Sequence, residues 1–251
     1  MPSEKTLAIV LRVIDFSETS CIVTLFTRDF GKIGVLAKGA RRPKSPFDSA
    51  LDVLALCRIV FIHKSSDSLD LLTEAKLERR FRSATKNLSR LYAGYYITEL
   101  LNELTDLGDP HPQLFASAEE TIQEIDDHGD LEPLVLRFEM TALRLLGHAP
   151  SLSECVGCGK LVDKTNRIAF GQLAGGVLCQ KCRIGRKQVA SVSQPVIETL
   201  KVFAEPEDKS WRNYIMDSRV GGELRGVLNH YLNNLLGHRP RMQAFLSDLK
   251  S

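Results

Sequence analysis

The spacing of apolar residues changes once along this 251-residue chain, near Arg80, and that change limits the folds open to it. Between residue 5 and about residue 76 the segments KTLAIVLRVI, SCIVTLFT, KIGVLAK, LCRIVFIHK and SLDLLTEAK are short and rich in Val, Ile, Leu and Phe, with polar or Gly-containing connections between them. This is strand punctuation, and five strands in so short a stretch suit a small closed barrel. After Arg80 the apolar spacing becomes three and four. Leu88, Leu91, Tyr92, Tyr95, Leu101 and Leu104 mark one stripe, ended by LGDPHP. Further helices are expected around 113–126 and 131–146, and Leu224 to Leu235 forms another stripe that Gly237 closes. The expected class is α+β. An oligonucleotide-binding type five-stranded barrel occupies residues 1–80, and a helical domain occupies 81–251 with a separate element at 151–189.

The longest connection in the strand region, residues 39–55, follows Lys38 and carries Arg41, Arg42 and Lys44 with no acidic residue among them. A net charge of +2 conceals this segregation, because residues 91–136 hold eleven acidic residues and no Lys or Arg. Phosphate contacts by Lys and Arg dominate affinity for nucleic acid, so a loop bearing four cations on a barrel rim reads as a backbone clamp. Arg28 and Lys32, flanking the DFG turn, are expected to extend the same face. Phe26, Phe30 and Phe47 lie near these charges; each reads first as core, with base stacking the alternative.

Residues 155–182, CVGCGKLVDKTNRIAFGQLAGGVLCQKC, contain two C-x2-C knuckles, Cys155 with Cys158 and Cys179 with Cys182. Twenty residues separate the pairs, the spacing of a zinc ribbon. Two cysteines three apart on a tight turn can aim both sulfurs at one ion, and two such turns complete a tetrahedron. Four thiolates saturate zinc, so the expected Zn2+ is structural and not catalytic. Lys181, Arg183, Arg186 and Lys187 beside the second knuckle read as a solvated surface. Cys21 and Cys57 fall within strands and read as core thiols.

No P-loop, dinucleotide-binding glycine motif, H-E-x-x-H or G-x-S-x-G occurs, and the six histidines are scattered. Asp126 with Asp127, and Glu119 with Glu120, read as solvated faces and not as a metal-dependent pair. The amino terminus lacks the pattern of a secretory signal and no run of eighteen apolar residues occurs, so a cytoplasmic protein with no membrane contact is expected.

SETSCIVTLFTRDFGKIGVLAKGARRPKS (Ser17 to Ser45), the pair of knuckles, and LGHRPRMQAFL (Leu236 to Leu246) together resemble the bacterial recombination mediator family RecO. The likeness runs through nearly the whole chain in the right order. It implies an amino-terminal oligonucleotide-binding barrel, a helical carboxyl-terminal domain with an inserted zinc ribbon, and a non-enzymatic role. That role is to bind single- and double-stranded DNA, to anneal strands coated with single-stranded-DNA-binding protein (SSB) and, with RecR, to help RecA load in recombinational repair near the nucleoid. It also implies docking of the acidic SSB tail on the helical domain, at a place that no short motif transfers. The rivals are a nucleic-acid-processing enzyme and an RNA- or ribosome-binding protein, each with a structural ribbon.

Overall fold

A computed structural model describes residues 3–42, 45, 47, 50–64, 69–83, 87–127, 129–163 and 165–249, the last three of these in backbone only. The chain divides into two compact units, one of residues 1–131 with 244–251, the other of residues 132–243.

The first unit opens with β1 (Ser3–Asp15), β2 (Cys21–Thr27), β3 (Gly31–Ala37), β4 (Leu56–Ile62) and β5 (Asp70–Arg79), five strands where five were expected. They close into a barrel in the order β1-β2-β3-β5-β4, with β4 antiparallel to β1 and β5 parallel to β3. Alternation drives the closure. Val23, Leu25 and Val35 are fully buried while Ile22, Thr24 and Leu36 between them are partly exposed, so one face of each strand fills the barrel. Cys21 and Cys57 lie in that core, and burial pushes the Cys57 thiol up to about 12, which keeps it protonated and unreactive. The connection after β3 also enters the barrel, where Phe47 and Ala50 pack into the same core.

Two helices, α1 (Leu88–Leu104) and α2 (Pro112–Asp126), complete this unit. Asn87 caps α1 by accepting from the Arg90 amide, and Pro112 opens α2, where its missing N–H costs nothing. The apolar stripe of α1 differs from the sequence expectation. Leu88 is 62% exposed, Leu91, Tyr92 and Tyr95 are half-buried, and the buried face is Ala93, Gly94, Tyr96, Ile97, Leu100 and Leu101. Small residues lead this face because the approach is close: a Cβ at Gly94 would stand 2.7 Å from Leu54 Cδ1. On α2, Phe115 packs against Phe26 of the barrel with ring centroids 6.1 Å apart.

Two arginines near the start of α1 bond within the unit. Arg79 donates to Gln123 Oε1 and the Glu119 carbonyl, and Arg90 donates to the carbonyls of Ile125 and Gly129. Asp126 accepts from the amides of Arg82 and Ser83, which gives it a structural task. The final 3-10 helix, Met242–Leu249, brings Phe245 onto Tyr92 of α1, centroids 4.6 Å apart.

The second unit holds α3 (Leu131–Leu145), a sheet of β6 (Arg167–Gly171), β7 (Gly176–Leu178) and β8 (Val189–Ser193), then α4 (Gln194–Ala204) and α5 (Ser218–Leu236). Gly237 ends α5 in the left-handed conformation, φ +75, as expected from the sequence. Arg225 of α5 forms a two-pronged pair with the fully buried Glu139 of α3. Arg137 caps the end of α4 through the carbonyls of Phe203, Glu205 and Pro206 and lies 5.7 Å over the ring of Trp211.

Candidate nucleic-acid interface and metal centre

The hairpin of β2 and β3 separates the cations that the sequence grouped. Its register pairs Cys21 with Ala37 at one end and Thr27 with Gly31 at the other, six residues or about 20 Å apart. Lys38, Arg41 and Arg42 follow the first end; Arg28 follows the second, so they do not share a rim. Arg28 is paired with Asp29 at 3.2 Å. Lys32 is engaged elsewhere: its ammonium donates to the carbonyls of Asn102 (2.6 Å) and Thr105 (2.5 Å), the unsatisfied end of α1. Burial pulls the Lys32 pKa down, with Asp106 and Glu103 opposing. It is an internal cap, not a phosphate contact. Lys44 lies outside the described residues.

Lys38, Arg41 and Arg42 are exposed, and backbone bonds fix the segment that carries them. The Arg41 amide donates to the Thr19 carbonyl at 3.1 Å, the Gly39 amide to Ser20 Oγ at 3.3 Å and the Arg42 amide to the Gly39 carbonyl at 3.1 Å. The cationic connection is thereby held against the β1–β2 turn. Arg41 also reaches Asp15 at 2.8 Å, a pair whose side chains are 50% and 69% exposed. A cavity of about 500 Å³ opens beside Arg41 and Arg42, floored by Cys21, Phe47 and Leu51. A larger one of about 740 Å³ lies against Lys32, His63 and Leu107. Its lining mixes the carboxylates Glu4, Asp29 and Asp70 with the basic Lys32, His63 and Lys64.

Of the aromatic candidates, Phe26 and Phe47 are core residues at 0% and 4% exposure, and Phe30 stacks edge-on against Phe61 at 5.3 Å. Phe30 is half-buried and lines the larger cavity, away from the cationic connection. The exposed aromatic at this rim is Phe16, 61% exposed, directly after the Asp15 that holds Arg41. Sequence reasoning passed over it because it stands one residue beyond a strand, where its exposure depends on how the turn folds.

In the second unit the four knuckle cysteines converge, all four sulfurs within 4.8 Å of one another. A tetrahedral site with 2.3 Å metal–sulfur bonds has sulfur–sulfur edges of about 3.8 Å; Cys158 and Cys179 Sγ stand 3.9 Å apart. Burial pushes the Cys155 thiol up, but amide donors from Cys179, Gly157 and Cys158 outweigh it and bring it down to about 6. The other three sulfurs, Cys179 foremost, push Cys182 up to about 12, so four thiolates need a cation among them. The knuckles fold this tightly because Gly157 has no side chain, a Cβ there meeting Cys182 Cβ at 3.0 Å. The group can hold one metal ion with no position open for water.

The carboxyl-terminal part matches the family described as Recombination protein O C terminal over residues 85–243, and the amino-terminal part matches Recombination protein O N terminal over residues 1–81. The chain belongs to the RecO family. Membership brings a role in DNA repair. The DNA repair protein RecO of Rhodopirellula baltica is 43% identical over 96% of this chain and 98% of its own length. That of Symbiobacterium thermophilum is 30% identical over 97% and 96%, and that of Moorella thermoacetica 29% over 96% and 89%. RecO membership agrees with the barrel followed by helices and with the four-cysteine group. Among the described residues no helix is long and apolar enough to cross a membrane.

Proposed function

We propose that this protein is a non-enzymatic recombination mediator whose barrel, residues 1–80, grips single- and double-stranded DNA by its phosphates. It anneals complementary strands coated with SSB, docks the acidic SSB tail on the helical domain of residues 81–251, and with RecR helps RecA load during recombinational repair in the cytoplasm, at the nucleoid. Zinc in the 151–189 ribbon is structural. The observation that carries this reading is the fixed presentation of Lys38, Arg41 and Arg42 at one barrel end, where Arg41's described ion-pair partner is an exposed carboxylate that a phosphate can replace.

Annealing then follows without chemistry. Two strands repel through their phosphates, and a surface that neutralises several on each lowers the barrier to pairing. The carboxylates that a hydrolytic centre would need are occupied in places: Asp126 holds backbone amides and Glu139 holds Arg225.

The test is the annealing of complementary oligonucleotides precoated with the cognate SSB, in buffer without nucleotide or divalent metal. Acceleration over the protein-free rate is expected. Strand cleavage or joining that appears with Mg2+ would favour the enzyme reading, and tighter binding of RNA than of DNA of equal length would favour the RNA-binding one.

A further inference from the structure

We propose that Phe16 is a base-stacking platform on the barrel rim and that, through it, the rim prefers unpaired to paired strands. This rests on the reading of the barrel as a DNA-binding surface and adds to it a residue and a selectivity.

A single exposed apolar side chain is ordinary on a protein surface, so exposure alone carries little. Phe16 is distinguished by where it stands and how firmly. It is the most exposed of the chain's eleven phenylalanines, and the turn that presents it is closed by its own bonds. The Phe16 amide donates to the Ser20 carbonyl at 3.0 Å, Ser17 N to the same carbonyl at 3.1 Å, and Ser20 N to Ser17 Oγ at 3.2 Å. The Phe16–Ser20 bond continues the β1–β2 ladder one step past the Asp15–Cys21 pair, so Phe16 falls on the same outward face as Ile14, two residues earlier.

That face is apolar beyond the ring. Ile14 pairs with Ile22, Ile22 with Leu36 and Leu36 with Leu71, one row across four strands, and each member is at least partly exposed. At about 4.8 Å between strands the row spans about 14 Å, room for two or three bases. The cations stand beside it, because the Asp15–Arg41 pair and the Arg41–Thr19 bond tie the basic connection to the turn that carries Phe16. Phosphate-neutralising groups next to a rigid aromatic and an apolar strip are what a single strand with unstacked bases requires. A duplex offers the same phosphates, but its base faces are already stacked on one another, so it gains from Lys38, Arg41 and Arg42 and nothing from Phe16.

The arrangement suits an annealing protein. A base lying on Phe16 leaves the ring when a complementary strand pairs with it, and the rim's hold weakens on the product it has helped to make. Turnover follows from the loss of one contact.

The experiment compares Phe16→Ala, Phe16→Tyr and Phe16→Trp with the unaltered full-length protein. Anisotropy is measured on a mixed-sequence single strand and on a duplex of the same length, each at several salt concentrations. Phe16→Ala is expected to bind the single strand about five- to one-hundred-fold more weakly and the duplex within about two-fold, with the salt dependence of both unchanged because no charge is removed. Phe16→Tyr and Phe16→Trp are expected to retain affinity, and the introduced indole to be quenched by the normal strand but not by one with abasic sites. Equal losses on single strand and duplex, or no loss on either, overturn the inference, as does an unchanged DNA affinity accompanied by lost binding to a protein partner. Failure of the unaltered protein to bind either nucleic acid removes the underlying DNA-binding reading as well, so the two failures are told apart.

Discussion

Replacing Lys38, Arg41 and Arg42 together by Ala should flatten the salt dependence of DNA binding by an amount the structure sets. Each cation that neutralises a phosphate contributes about 0.7 to the slope of log affinity against log salt for a single strand, so three contribute about 2. Between 50 and 200 mM salt a slope lower by 2 means about 15-fold less loss of affinity. Arg41 counts fully, because its pair with Asp15 is exposed on both sides and such pairs are worth at most about 1 kcal/mol, an easy exchange for phosphate. Arg28→Ala is the internal control. It stands about 20 Å away along the β2–β3 hairpin, at the end opposite the cationic connection, so its slope should match that of the unaltered protein. Fluorescence anisotropy with a labelled oligonucleotide over five salt concentrations reads both. An unchanged slope in the triple variant, or a drop in Arg28→Ala as large as in the triple variant, would refute the assignment of the rim.

Arg225→Met removes the two-pronged cation from the buried Glu139 and should cost about 3–5 kcal/mol in chemical denaturation, most of it recovered in the Glu139→Gln/Arg225→Met double variant. Lys32→Met leaves two α1 carbonyls unsatisfied and should cost about 1–3 kcal/mol at neutral pH. The folded state holds the Lys32 proton less tightly than the unfolded chain does, so the unaltered protein should gain stability as pH rises from the depressed pKa towards 10.5. Denaturation series on both proteins should show that increment missing from the variant. Chelation is expected to abolish amide protection in residues 151–189 while α3 and α5 stay protected by hydrogen exchange, and a global loss of helix signal would contradict this.

The five strands were legible because period-two alternation is local: Val23 and Leu25 point inward whatever else the chain does. The parallel pairing of β3 with β5 is not local, and only closure of the barrel makes it. Convergence of the four cysteines was readable for the opposite reason, since their chemistry restricts geometry more tightly than sequence distance loosens it. On α1 the Leu and Tyr stripe misled because burial followed the space beside Leu54 and not side-chain hydrophobicity. The short helix α4 escaped notice because it is only eleven residues long, and its apolar stripe of Val196, Ile197, Leu200 and Phe203 covers just two turns. Lys32 looked like a surface cation because its carbonyl partners lie about seventy residues further along the chain.

That lysine also bears on where the barrel ends as a piece of material. A fragment cut just after β5 would keep every strand and still lose the carbonyls that receive the Lys32 ammonium and the Phe115 ring that covers Phe26. Such an excised barrel would carry a stranded charge and a bare aromatic on one flank, inviting self-association. The smallest autonomous fragment for a crystallographer or a protein engineer to work with therefore includes α1 and α2, well past the point where strand-like sequence stops.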